Sequence, residues 1–352
     1  MDQRIAKIAE ILVNYSTKVK EGEYVLIDGD IVCEPLFKEL YRLVLEKGAY
    51  PIVKASFPWQ SYVYYKTAND KQLNHFPEVA MEEMKKMAVV IYVAGGTNTR
   101  NLTSIDPKKI ALRQKVVESV GKERMKKRWV IFDYPSHSLA QEADMSTEEF
   151  EDFVYGASLF DWKEKSKELD RAMEIMSKGK EVRIVGENTD LRFSINGRKF
   201  VKGDGTCNMP DGEIFTAPVE NSVNGHVEFS YPAIRAGREI GGVYLEFKDG
   251  KIVKATAEKG EAFLKEMINS DEGSRYLGEF GIGLNEGIKK PIKNILFDEK
   301  MAKTIHFAIG NAYPECNGIN VSSVHWDIIK DMRNGGKIYL DGKRVYENGE
   351  FL

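Results

Sequence analysis

The sequence predicts an α/β N-terminal domain with a parallel sheet, followed by a mainly antiparallel, β-rich (α+β) C-terminal domain. Three observations carry this reading. The first half alternates short apolar runs with helical stretches, and the second half breaks β-patterned runs with Gly, Asn and Asp turns. Between them stands the polar stretch Ser177-Lys178-Gly179-Lys180, at the end of a long helical pattern. The boundary is drawn there, giving residues 1–180 as a scaffold domain and 181–352 as a β-rich domain. At 352 residues the chain is long enough for two domains of ordinary size.

The elements follow in order. MDQRIAKIAEILVNYS reads as an amphipathic helix. Tyr24 to Asp28 is a short apolar strand after a turn at Gly22. Pro35 opens a helix that places Leu36, Leu40, Leu43 and Val44 on one face, and Gly48 ends it. Further strands are expected at 51–56 (PIVKAS), 89–94 (VVIYVA) and 129–133 (WVIFD). Short apolar strands separated by helices are the pattern of a parallel sheet covered on both faces. Ser146, with Glu149 three residues on, is a capping box. It opens a helical pattern that Gly156 is expected to interrupt. Beyond the boundary, EVRIVG, LRFSING, KFVKG, HVEFSYP, GGVYLEFKDGKIVKATAEKG and KIYLDGKRVYENG read as strands. KDGK, LDGK and ENGE are hairpin signals, and helices are expected near 259–272 and 298–303.

Composition narrows the function classes. A formal net charge of -3 gives no footprint for nucleic acid. The basic run GKERMKKRW at 121–129 lacks interleaved aromatics and reads as a solvated helix face. No apolar run approaches the roughly 20 residues of a membrane span. The N-terminal stretch lacks the apolar core of a signal peptide, so the expected location is cytoplasmic. Cys33, Cys207 and Cys316 fit no disulfide framework or zinc knuckle and are expected to be buried free thiols. After the first strand, DGDIVCEP offers acids where a dinucleotide fingerprint needs glycines. Gly95-Gly96-Thr97 reads as a turn rather than a phosphate nest. There is no Walker motif and no GxSxG. A cysteine nucleophile would have to be Cys316, whose plain reading is an inert thiol.

The chemistry concentrates near the C-terminus. The chain has 5 histidines, and two of them, His306 in TIHFAIGNAY and His325 in VHWD, lie within 20 positions. Imidazole and carboxylate are ligands that borderline divalent metals prefer. If 325–327 is a strand, His325 and Asp327 share a face and Trp326 points the other way, into packing. These three alone could hold one metal. A second ion about 3.5–4 Å away would need bridging anions. Two upstream acids stand out by context: Glu213 in NMPDGEIFTAP and Glu279 in YLGEFGIGLN. A carboxylate in such apolar, Gly-containing surroundings is costly unless paired or metal-bound.

The segments NMPDGEIFTAP, LGEFGIGLN, IHFAIGNAYPE and SVHWDII, in that order, resemble the thermophilic aminopeptidases, the metallopeptidases that include aminopeptidase T, aminopeptidase S and PepS. VKEGEYVLIDGD and STEEFEDFVYGA are also similar, so the resemblance covers nearly the whole chain. It implies an N-terminal α/β domain, a β-rich C-terminal domain, a two-metal centre in an enclosed cavity, and a homodimer. The implied ligands are Glu213, Glu279, His306, Tyr313, His325 and Asp327, holding two divalent ions per chain: zinc, cobalt or manganese. Tyr313 enters through the resemblance alone, as the tyrosine of GNAYPE. The implied activity is metal-dependent removal of N-terminal residues from peptides with a free N-terminus by a two-metal-activated hydroxide. Glu279 or Asp327 would bridge, Glu213 or Glu279 would carry the proton, and Tyr313 would stabilise the oxyanion. The alternative is a mononuclear non-haem iron(II) ring-cleaving dioxygenase of the same fold, using His306, His325 and Asp327. That chemistry has no need of Glu213 and Glu279, and their presence favours hydrolysis.

Overall fold

A parallel sheet organises the first of two units. The computed structural model describes residues 2–235 and 237–352. One unit runs to Leu159 and takes in Gly205–Pro210; the other comprises Phe160–Asp204 and Asp211–Leu352. In the first unit the strand order is Tyr50–Ser56, Tyr24–Asp30, Val89–Ala94, Arg128–Asp133 and Asn208–Met209. Every pairing is parallel. Val25, Ile27, Val89, Ile91, Val93, Val130 and Phe132 are buried, as strands covered on both faces require. The fifth strand, Asn208–Met209, returns from far along the sequence and has no pattern of its own in the chain.

The helix Glu34–Glu46 has Pro35 in its first turn and buries Leu36, Phe37, Leu40, Leu43 and Val44. Gly48 follows it at φ +71°, the left-handed region that favours glycine. The capping box at Ser146 forms: its Oγ accepts from the Glu149 N–H at 3.2 Å, and its own N–H donates to Glu149 Oε2 at 2.9 Å. The helix it opens ends at Ser158, two residues past Gly156, which stays helical. The break is made by Asp161. Its side chain accepts from the N–H groups of Lys163 and Glu164 at 3.0 and 3.3 Å and starts a new helix, Trp162–Met176. Of the three thiols, Cys33 and Cys316 are buried, whereas Cys207, expected to be buried, is exposed. Gly95 donates its N–H to Asp30 Oδ2 at 3.1 Å. The turn reading of Gly95-Gly96 therefore stands, since a phosphate there would meet a carboxylate.

Among the described residues the second unit holds two large antiparallel sheets and a two-stranded ribbon, Ala233–Arg235 with Arg238–Ile240. The larger has eight strands in the order Lys251–Thr256, Tyr244–Lys248, Asn224–Glu228, Thr189–Ser194, Glu181–Gly186, Lys337–Leu340, Lys343–Glu347 and Glu350–Phe351. The hairpin signals KDGK, LDGK and ENGE form turns with positive φ at both central residues: Asp249 and Gly250, Asp341 and Gly342, Asn348 and Gly349. The smaller sheet has the order His325–Asp331, Thr304–Gly310, Leu277–Gly283, Glu213–Thr216 and Val201–Gly203. One face of each contributes to a shared core, with Phe193 of the larger sheet 5.1 Å from Phe280 and 5.8 Å from Phe307 of the smaller, ring centre to ring centre. The helices Trp162–Met176 and Glu261–Ile268 bury Leu169, Met176, Leu264 and Ile268 in the same core.

The helix expected near 298–303 is displaced. A single helical turn spans Ile295–Asp298, capped by Asn294, whose side chain accepts from the Leu296 N–H at 3.1 Å. Asp298 then accepts from the Ile292 N–H at 2.7 Å, tying the turn back on itself. The chain continues as a turn, with Glu299 still in helical backbone at φ −66° and ψ −24°, and the Asn285 N–H donates to Lys300 O at 2.9 Å. Charged residues that helical spacing would put in solvent are therefore carried inward.

Candidate metal centre

The smaller sheet puts two chemistries on its two faces. On the His306 strand, Ile305, Phe307 and Ile309 enter the apolar core, so His306, Ala308 and Gly310 face the other way. On the next strand Trp326 and Ile328 are core, and His325 and Asp327 share the opposite face, as period two dictates. Register aligns these faces. Ala308 pairs with Glu279 on one side and with Asp327 on the other, while His306 pairs with Gly281 and Gly283 pairs with Glu213. Four neighbouring strands thus deliver Glu213, Glu279, His306, His325 and Asp327 to one face.

Glu279 reaches that face through a β-bulge. Leu277 pairs with Ile309 on the core side, and the register then shifts so that Glu279, two residues on, pairs with Ala308 on the opposite side. The inserted residue is Gly278, whose position leaves no room for a side chain against the carbonyls of Gly310 and Asn311. Without the bulge, simple alternation would send Glu279 into the core with Leu277. Small residues beside the polar ones make the space. A Cβ on Gly281 would overlap the His306 imidazole, and one on Gly283 would strike the backbone of Lys300 and Met301.

Glu279 is the hinge of the arrangement. Its Oε1 lies 3.4 Å from His306 Nε2, which is 3.3 Å from Glu213 Oε2. Its Oε2 lies 3.3 Å from His325 Nε2, which is 3.3 Å from Asp327 Oδ2. Two sets of ligand-type atoms therefore share one carboxylate: Glu213, Glu279 and His306, and Glu279, His325 and Asp327. These separations are long for charge-assisted hydrogen bonds. They match the distance of about 3.3–3.4 Å between two atoms that each sit about 2.0–2.1 Å from one tetrahedral ion. Glu213 Oε2 and Asp327 Oδ1 are buried and have no hydrogen-bond partner among the described residues. A buried, unpartnered carboxylate oxygen in each ligand set fits the binding of divalent cations. His325 Nδ1 lies 2.8 Å from the carbonyl of Asn311. A carbonyl only accepts, so Nδ1 carries the proton and Nε2 is presented to the site.

Two residues at the site were not singled out from the sequence: Glu299 and Lys300. Lys300 is completely buried, with Nζ 3.4 Å from Glu213 Oε1 and in close contact with Glu299. The only signal for them was an acid and a base side by side in FDEKMAK, which a solvated helix explains equally well. Electrostatics follow from crowding these charges out of water. Burial pushes the Glu213 carboxyl up to about 8 against the pull of Lys300. Burial alone would depress both imidazoles, but the carboxylates win: Glu279 and Glu213 push His306 up to about 9, and Asp327 and Glu279 push His325 up to about 11. Asp327 is also penalised by burial, yet His325 beside it holds its carboxyl below the ordinary range.

Tyr313 stands at the edge of this group, with its ring centre 4.8 Å from that of His325 and 5.7 Å from that of Phe215. Burial and the surrounding carboxylates raise its phenol well above the ordinary value. Cys316 is buried against Phe215, and burial pushes its thiol up to about 12, which removes it as a nucleophile.

The family model described as thermophilic metalloprotease (M29) matches residues 1–351. The chain belongs to this family. Among relatives of the M29 metallopeptidase, aminopeptidase 2 of Geobacillus stearothermophilus is 25% identical over 99% of this chain and 98% of its own length. Aminopeptidase AmpS of Bacillus subtilis (strain 168) is 27% identical over 99% and 98%. Aminopeptidase T of Thermus thermophilus is 33% identical over 46% of this chain and 45% of its own. The solved structure of wild-type AmpT from Thermus thermophilus superposes with a TM-score of 0.88 at 22% identity, over 99% of both chains, and so shares the fold. The metallopeptidase is a peptide hydrolase whose family chemistry uses divalent metal. The oxygen-activating alternative has no support in these comparisons.

Proposed function

We propose that this chain is an aminopeptidase whose two ligand sets would each hold one divalent ion, with Glu279 common to both. The observation that carries this reading is the Glu279 carboxylate, with one oxygen 3.4 Å from His306 and the other 3.3 Å from His325. Relatives over the full length bear aminopeptidase names, which supports a substrate with a free N-terminus. The nitrogen and oxygen ligands suit zinc, cobalt or manganese. Divalent ions bound there would polarise a scissile carbonyl and lower the pKa of a water toward neutrality.

The chain's own residues do the rest. The Asn311 carbonyl orients His325, and Lys300 orients Glu213 from the side away from His306. The raised Tyr313 phenol keeps its proton and can donate it in a hydrogen bond to a developing oxyanion. A carboxylate of the Glu213–Glu279 pair passes a proton from water to the leaving amine.

The test is Glu279→Ala with metal content measured. Outer-shell partners alone cost about 10–100-fold when removed, so loss of a shared ligand should cut cleavage of amino-acid anilides by more than about 100-fold and release both ions together. Full activity with unchanged metal content would sink the assignment. Reconstituting the metal-free protein with single divalent ions, assayed on a panel of dipeptides, identifies the metal and the preferred N-terminal residue.

A further inference from the structure

Four carboxylates converge on the face that carries the two histidines, and only three of them belong to the ligand sets. Glu299 is the fourth. It directly follows the Ile295–Asp298 turn, still in helical backbone, just before Lys300 and Met301 pass through the space that Gly283 leaves. One of its oxygens takes a hydrogen bond from Lys300. The other has no hydrogen-bond partner among the described residues. Its side chain is 17% exposed, against 6–8% for Glu213, Glu279 and Asp327, so it is the most accessible carboxylate of the group. Its charge is nevertheless felt at Glu213 and Tyr313, and it feels those of Asp327 and His306.

We propose that Glu299 receives the substrate's α-ammonium group, with Lys300 fixing the carboxylate in place. The proposal rests on the aminopeptidase reading and supplies the recognition element that it lacks. A peptide with a free N-terminus carries its positive charge about 2.5 Å from the carbonyl carbon of its first residue. An anchor for that charge must therefore sit beside the hydrolytic centre. Glu299 does, because Lys300 links it to Glu213 through one ammonium group. The free oxygen is an acceptor, and an ammonium is the donor that matches it. The same closeness limits the chain ahead of the scissile bond to one residue, since a second would carry the ammonium out of reach.

The test uses the metal-loaded full chain and two ligands of equal shape, leucinamide and 4-methylpentanamide, which differ in the α-amino group. Calorimetry gives the binding preference between them for the native protein, Glu299→Gln and Glu299→Asp, and metal content is measured in each. Glu299→Gln keeps an oxygen for Lys300 and removes the charge. It is expected to lower the preference for leucinamide by at least about tenfold and raise KM for leucine anilide, with bound metal unchanged. Glu299→Asp keeps the charge and should retain part of the preference. An unchanged preference in Glu299→Gln overturns the proposal and assigns amine recognition to the ions. Loss of kcat in both variants with the preference intact overturns it too. If the native protein cleaves no substrate with a free N-terminus under any metal, the aminopeptidase reading falls and takes this inference with it. If it cleaves them and the preference ignores Glu299, the inference alone fails.

Discussion

The strands Val89–Ala94 and Thr304–Gly310 each lie inside a five-stranded sheet, and both are largely buried, yet they carry opposite chemistry. In the first, VVIYVA, Val89, Val90, Ile91 and Val93 are buried on both faces, and its neighbours are parallel. In the second, TIHFAIG, apolar Ile305, Phe307 and Ile309 alternate with His306, Ala308 and Gly310. The Val89–Ala94 strand, walled on both sides, carries no charged side chain, and the acids Asp28 and Asp133 of the sheet stand on its neighbours. An antiparallel sheet that buries one face against another sheet leaves its second face to be filled by whatever can satisfy it. The lesson is that burial does not identify a core residue. A buried imidazole persists where three carboxylates face it, and a buried ammonium where two do, because each charge offsets the desolvation of the others.

If the two faces of the Thr304–Gly310 strand are as separate as this, mutations on them should fail in different ways. The largest effect on folding belongs to the core face. Phe307→Ala should lower unfolding free energy by about 3–5 kcal/mol in denaturant titration, while the folded fraction keeps its metal stoichiometry. A smaller effect, on both properties, belongs to the opposite face. Gly281→Ala drives a methyl group into the His306 ring. It should cost about 1–3 kcal/mol of stability and, by displacing a ligand, weaken metal binding by at least about tenfold. Wild-type metal affinity in Gly281→Ala would show that the imidazole is not held where the sheet places it. Metal loss in Phe307→Ala would show that the faces are coupled.

Much of this was legible in the sequence, for a local reason. His325 and Asp327 share a face because two residues separate them, and the hairpin turns form because Asp-Gly and Asn-Gly accept positive φ. Glu213 and Glu279 were visible as acids in apolar company. What stayed hidden depends on distant pairings. The bulge at Gly278 turns Glu279 toward His306, and nothing within LGEFGIG shows on which side it falls. Glu299 and Lys300 fall within the helix that the sequence predicts near 298–303, and only the bond from Ile292 to Asp298 and the space at Gly283 carry them inward. Asn208–Met209 joins the parallel sheet at its edge from beyond a helix and three strands of the other unit. The break after Ser158 was assigned to Gly156 because glycine is a weak helix former. A capping aspartate at 161 was the stronger signal.

The gentlest probe of the comparison is pH, which acts on the polar face without altering the sequence. In the metal-free protein, Glu213 is pushed up to about 8, His306 to about 9 and His325 to about 11. At neutral pH these groups hold protons that ligation must displace, since a metal takes neutral imidazole and ionised carboxylate. Metal affinity should therefore rise between about pH 6 and pH 9, by about tenfold per unit for each proton released, and calorimetry in buffers of different protonation enthalpy should count at least one. Stability of the metal-free protein should run the other way. The folded state keeps a proton on Glu213 above its ordinary 4.5 and on His306 above its ordinary 6.5, where the unfolded chain has lost them. Stability then falls as pH rises through those windows toward about 8 and 9. Thermal melts with and without chelator should accordingly diverge as pH increases. A gap independent of pH would mean that the carboxylates and imidazoles of this face do not titrate against the metal, and the contrast with the apolar parallel strands would lose its chemical basis.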